Sequence, residues 1–135
     1  MVIVAGGVGC IPPNGETLDV WTLNVYCENC RFCYLAQEEV RLWLPEEKRL
    51  GLKTLVIKTR RPRQKVKLRW PASEETLPWP VEEMPIQSGV PHRIKGKTSS
   101  TITLHQIPAE YRTTAEQAQW MEEKGCMQQA EMLRK

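Results

Sequence analysis

The chain has 135 residues, 41% of them apolar and 26% charged, with a formal charge of +3; that is enough for one hydrophobic core and excludes two independent ones. Ten prolines cut it into short pieces and speak against a helical bundle. No run approaches the ~20 apolar residues of a membrane span, and the opening MVIVAGGVG lacks the basic start of a secretory leader, so the expectation is a soluble protein of the cytoplasm or nucleus that does not engage membranes.

Residues 1 to 5 read as an apolar strand, and GGVGCIPPNG after them as a loop. Its Gly6, Gly7 and Gly9 lack the Gly-Lys-Ser/Thr ending of a phosphate loop. ETLDVWTLNVY (16–26) reads as a strand, and CYLAQEEVRLWL (33–44), stopped by Pro45, as a second. Together they predict a hairpin whose turn carries cysteines. LKTLVIKT (52–59) and QKVKLRW (64–70) alternate, the latter placing Val66, Leu68 and Trp70 on one face and Lys65, Lys67 and Arg69 on the other.

Residues 71 to 91 hold five prolines, four glutamates and no basic residue, which predicts an extended acidic arm anchored by Trp79, Val81, Met84 and Ile86. TSSTITLHQI (98–107) returns to β character and can close the sheet. From Thr113 the pattern is helical to Lys135, capped by Thr113 or Thr114 with Glu116 or Gln117 three residues on. Ala115, Ala118, Met121, Gly125, Cys126, Met132 and Leu133 share one arc of that helix, with Trp120 and Met127 outside it. The expected fold is α+β: a small, mostly antiparallel β-sheet with a metal-binding hairpin knuckle, a Pro-rich acidic arm and a C-terminal α-helix. The expected divisions are a β-rich domain over 1–70, the arm over 71–97, a closing strand and loop over 98–112, and the helix over 113–135.

The five cysteines are an odd number, so they cannot all pair internally. Cys27, Cys30 and Cys33 recur every third residue in CENCRFC, a spacing that suits thiolate ligands in a reducing compartment better than structural disulfides. Zinc needs a fourth ligand. Cys10 is the first choice, because its loop runs directly into the strand before Cys27, and His92, His105 and Cys126 are the alternatives. An iron–sulfur cluster is the other cofactor reading, since C-x-x-C-x-x-C opens the bacterial ferredoxin run, but Gln37 stands where that run needs its fourth cysteine. CRFCY also resembles part of the radical-SAM cysteine motif, whose first two cysteines are spaced differently. His92 and His105 sit in no motif that pairs either with a nucleophile, and the repeated Glu pairs read as solvated faces, so no enzyme is expected.

KTRRPRQKVKLR (58–69) carries seven basic residues and no acid. Arg60, Arg61 and Arg63 at a turn with Lys65, Lys67 and Arg69 along the next strand predict a stripe that can follow a phosphate backbone of RNA or DNA with little sequence selection. Arg93, Lys95 and Lys97 form a smaller patch. The leading expectation is a zinc-stabilised, non-enzymatic nucleic-acid-binding or regulatory protein. The alternative is a protein-interaction adaptor, such as a viral accessory factor. It would use the Pro-rich arm and the C-terminal helix, with Trp79, Trp120 and Met127 as contacts and the helix as a route to a homodimer.

Overall fold

The computed structural model describes residues 10–12, 19–27, 29–61 and 63–135. The strand expected over 1–5, the glycine loop before Cys10 and the start of the 16–26 strand lie outside these. Within them the fold is α+β, as expected from the sequence. Two mixed sheets form. Strands β1 (Thr22–Asn24), β3 (Arg41–Trp43) and β6 (Thr76–Pro78) make a three-stranded sheet in the order β1-β3-β6, and β2 (Cys30–Tyr34), β8 (Ser99–Gln106), β7 (Pro91–Lys95), β4 (Thr54–Arg60) and β5 (Arg63–Arg69) make a five-stranded one in that order. β1 runs parallel to β3 and β2 parallel to β8, while the other pairings are antiparallel. The short helix α1 (Glu46–Arg49) connects β3 to β4, and α2 (Thr114–Lys124) and α3 (Met127–Arg134) end the chain.

Alternation decides which side of the large sheet is core. Leu55 and Ile57 on β4, His92 and Ile94 on β7, Ile102 and Leu104 on β8, and Cys30, Phe32 and Tyr34 on β2 are buried together with Leu23 and Leu42 of the small sheet. Each fully buried Leu, Ile or Phe in this layer contributes about 1.5–3 kcal/mol relative to exposure. The proline-rich stretch wraps this core: Trp79 and Met84 are buried within it, and β6 pairs with β3. Its far end corrects the expected arm, because residues 91–95 form β7, an internal strand flanked by β4 and β8. Pro91 is tolerated there as the first residue of the strand.

The expected hairpin between 16–26 and 33–44 is replaced by a crossover. β1 ends at Asn24, where the Cys27 N–H donates to the Asn24 carbonyl at 3.3 Å and turns the chain, and β2 then enters the other sheet. The single C-terminal helix is likewise two helices. Thr113 and Glu116 form a reciprocal capping box at the start of α2, and Gly125 closes it with φ +92°, the Cys126 N–H donating to Met121 O at 2.7 Å. That left-handed glycine with its long return bond is a Schellman-type stop.

A second, smaller core lies on the opposite face of β2, where Cys33, Leu35, Val20, Trp21 and Ile107 meet Ala118, Met121, Cys126 and Ala130 of the helical layer. Gln129 is the polar group inside it. Its Oε1 accepts from the Cys33 N–H at 2.8 Å, and its Nε2 donates to Cys33 O at 2.8 Å and to Val20 O at 3.0 Å. The carboxamide thereby acts as a one-residue partner for the free edge of β2. Removing it leaves buried backbone groups unpaired, each costing about 1–3 kcal/mol. Gln129→Ala is expected to lower unfolding free energy by about 2–4 kcal/mol in urea titrations, whereas the exposed Glu131→Ala shifts it by less than about 0.5 kcal/mol.

Candidate functional site

Three cysteine sulfurs meet where the chain passes from the small sheet to the large one. The turn after β1 sets Cys27: the Asn24 side chain accepts from the Tyr26 N–H at 3.0 Å, and Ser100 Oγ–H on β8 donates to Val25 O at 2.9 Å. Asn29, at φ +48°, occupies a left-handed position that Asn tolerates and delivers the chain to Cys30 at the start of β2. Cys10 is held from both sides, its N–H donating to Gln128 Oε1 of α3 at 2.8 Å and its carbonyl accepting from the Asn24 N–H at 2.9 Å. The sulfurs of Cys10, Cys27 and Cys30 all lie within 4.8 Å of one another.

Cys30 sulfur is in bonding contact with both Cys10 and Cys27. One sulfur forms one disulfide, so the trio holds at most one such bond and one thiol; as three thiolates it is a donor set that could hold a metal ion. The donors are soft thiolate sulfurs; Cys27 and Cys30 are buried, and Cys10 is partly so. Cys33, expected in this set, is elsewhere. Residues three apart on a strand project to opposite faces, so Cys30 enters the main core while Cys33 enters the helix-side core and forms a disulfide with Cys126.

Neither histidine joins the trio. His92 is fully buried, its Nδ1 2.8 Å from Val90 O and its ring edge-to-face with Trp79, the centroids 5.3 Å apart. Burial holds its pKa below the ordinary imidazole value, with the Val90 carbonyl pulling weakly the other way. His105 points from the other face of β8 toward Trp120, and burial, then Arg31 and Lys124, lower its pKa too.

The outer face of the large sheet is basic over β5, β4 and β7, and again at Arg31 on β2. β5 presents Arg63, Lys65, Lys67 and Arg69 outward, β4 presents Lys58 and Arg60, β7 presents Arg93 and Lys95, and β2 presents Arg31, all exposed except the half-buried Lys58. Arg61 is exposed in the β4–β5 turn. Register merges the two patches seen in the sequence: Lys58 sits opposite Lys65 on one side and Arg93 on the other, Arg60 sits opposite Arg63, and Val56 lies between Lys67 and Lys95. Ser99, Thr101 and Thr103 continue the face across β8 without an acid. Among the described residues the ion pairs are Arg41–Glu39 and Arg134–Glu122, and neither uses a cation of these strands. Lys97 leaves the patch and donates to the Leu50 carbonyl.

The expected partner contacts divide. Trp79 is only 2% exposed, its indole N–H donating to Met84 O at 2.8 Å, so most of its side chain is packed in the core. Trp120 is half-buried on α2, and Met127 is 57% exposed on α3. The Gly125 break therefore removes the single helix face that the two were expected to share. Sequence reasoning missed Lys58 as part of the stripe, although it shares the period-two face with Arg60. It also missed a groove of about 870 Å³ walled by Trp79, Pro80, Val81 and Ile86 and bordered by Glu38, Glu39, Glu82 and Glu83. No signal in the sequence marks it, because Glu38 and Glu39 reach it from a segment about 40 residues before the wall.

No helix among the described residues is long and apolar enough to cross a membrane. No family model, curated protein or solved structure matches the chain.

Two outcomes follow from this geometry. In protein purified under reducing conditions and titrated with Zn2+ or Co2+, Cys10→Ser, Cys27→Ser and Cys30→Ser should each abolish stoichiometric metal binding, while Cys33→Ser should retain it. Equal loss in Cys33→Ser would mean the strand does not separate the thiols as described. Because burial lowers the His92 pKa in the folded chain below the roughly 6.5 of the unfolded one, its contribution is fully present above the unfolded pKa and is lost as pH falls through it. Between about pH 7 and 5 the stability of His92→Phe should therefore decline less steeply than wild type, measured by urea titration at each pH.

Proposed function

We propose that this is a non-enzymatic nucleic-acid-binding protein that holds a phosphate backbone on the outer face of its five-stranded sheet. The observation that carries this reading is the row Lys65–Lys58–Arg93 across three adjacent strands. Strands lie about 4.8 Å apart, well inside the ~8 Å screening length of physiological salt, and like charges directly opposite one another destabilise a sheet by roughly 0.2–1 kcal/mol per pair. A sheet that keeps such rows with no facing acid is suited to an anionic ligand that relieves the repulsion when it binds. Along β5 the cations recur every second residue, about 6.6–6.8 Å, a repeat that an extended polyphosphate chain can match. Hydroxyl groups on β8 add neutral hydrogen-bond partners for phosphate oxygens.

In this reading the Cys10–Cys27–Cys30 centre takes Zn2+ through three thiolates, with a fourth ligand from outside the trio, and is structural. It ties the N-terminal segment, the turn after β1 and the first residue of β2 into one cluster, so the metal fixes the edge of the sheet that bears Arg31. Zinc is favoured over an iron–sulfur cluster because Cys33 faces away, which breaks the contiguous C-x-x-C-x-x-C run that a cluster of the ferredoxin type uses. Thiolate ligands stay available in the cytoplasm or nucleus, and on reduction there Cys33 and Cys126 remain two buried thiols packed as small apolar groups. A second reading, a protein-interaction adaptor, is favoured by the groove along the proline-rich stretch, whose apolar wall and four glutamates suit a cationic peptide.

Binding of labelled oligonucleotides should weaken steeply with salt, log K falling against log [salt] with a slope of roughly −4 to −6 for six to eight phosphate contacts on a single strand. Lys58→Glu combined with Arg93→Glu should cost at least about tenfold in affinity, as much as Arg63→Glu with Lys65→Glu, and Lys48→Glu on α1 should leave affinity unchanged. Absence of binding at low salt sinks the proposal. Peptide capture by the groove would survive all of these charge reversals.

A further inference from the structure

Resting on that reading of the sheet face, we infer that the ligand is a single-stranded nucleic acid and that Trp120 stacks on one of its bases where the basic face meets the helical layer. α2 and α3 stand on the same side of the sheet as the cations. Cys33 projects outward from β2 and is bonded to Cys126 beside the joint between the helices. Gly125 in that joint lies so close to Arg31 that an added Cβ would sit 2.7 Å from Arg31 Cδ. His105, outward on β8, meets Trp120 edge-to-face with ring centroids 6.5 Å apart.

The basic face therefore starts at the open edge strand β5 and runs over β4 and β7 into a wall. A helix with its side chains is about 10–12 Å across, so the wall rises by that much beside β8. A duplex is a stiff cylinder that presents its bases stacked inside, and such a step lifts it from the strands next to the wall. A single strand bends at every nucleotide and can lay its phosphates on the cations of β5, β4 and β7 while turning a base toward the wall.

At that place stands an aromatic ring. Trp120 is half-buried and packs against the helix-side core, so its orientation is set before any ligand arrives. The Lys124 ammonium lies over its ring, 5.5 Å from the centroid. Lys124 is exposed on the last turn of α2 and its long side chain can move to a phosphate, giving the ring face to a base. Arg31 and Lys124 also act on His105, lowering its pKa after burial does, so two cations lie beside the His105–Trp120 contact. Aromatic surface bordered by cations is the combination that sequence-tolerant single-strand binders use.

The test measures fluorescence anisotropy of a labelled oligonucleotide, single-stranded and as its matched duplex, against the whole chain as wild type, Trp120→Phe and Trp120→Leu at one salt concentration. Phe and Leu both fill the half-buried position, and thermal melts confirm that each variant is folded. The expected result is tighter binding of the single strand than of the duplex by wild type. Trp120→Leu should lose about 5- to 150-fold for the single strand, Trp120→Phe should stay within about threefold of wild type, and duplex binding should be unmoved by either. Equal affinity of Trp120→Leu and wild type for the single strand, equal losses in Leu and Phe, or equal losses on duplex overturn the inference. If these occur while Lys58→Glu with Arg93→Glu still costs at least about tenfold in affinity, the phosphate-binding face stands without a stacking residue. If wild type binds neither oligonucleotide, the face itself fails as a nucleic-acid site.

Discussion

Strand β2 is the element on which the rest of the molecule depends, because it sends buried side chains into a core on each side, Phe32 on one and Cys33 on the other, and is paired with a strand on one edge only. β8 satisfies one side of its backbone, and the other side is closed at Cys33 by the carboxamide of Gln129. Both amide protons and the oxygen of that side chain are used, so the edge is sealed without another strand. A buried polar group is tolerable when fully satisfied and costly when it is not. The arrangement thus ties the helices to the sheet through direction-specific bonds, where apolar packing alone would allow them to slide.

The same strand sorts the cysteines. Period-two geometry sends Cys30 toward the main core and toward Cys10 and Cys27, and sends Cys33 through the sheet to Cys126. One linkage joins the N-terminal segment to the crossover between the sheets, and the other joins the sheet to the helical layer across 93 residues of chain. In the loop-entropy account a link of that span removes roughly 4–5 kcal/mol of freedom from the unfolded chain when it is oxidised. A metal ion held by the trio would act over a shorter span but would order three segments at once.

The charge distribution works against the fold in one place. Most surface cations of a protein cost nothing, since they are spaced and solvated, but the rows across β5, β4 and β7 set like charges on adjacent strands. The apolar residues beneath them, Leu55, Ile57 and Ile94, more than offset that repulsion by burial. The exposed edge strand also gains from its lysines and arginines, which discourage pairing with another chain.

Much of this was written in local pattern. The alternation of QKVKLRW made β5 and its two faces readable, KTRRPR marked the turn into it, and Thr113 with Glu116 marked the start of a helix, because each depends only on neighbours a few residues away. Pairing between distant segments was not readable. Lys58 and Arg93 are 35 positions apart and become neighbours only through the β4–β7 register. Gly125 looked compatible with a long helix, yet its left-handed conformation and the tight approach to Arg31 end α2 there. CENCRFC read as one ligand set because spacing along a chain does not say which face of a strand each thiol will take. Composition and periodicity by themselves determined an α+β chain with a basic strand, a wrapped proline-rich stretch and a helical end. Only the tertiary structure decided which cysteines meet and that two basic patches are one surface, since both follow from strand pairing across the sheet, a long-range property that no local run of residues encodes.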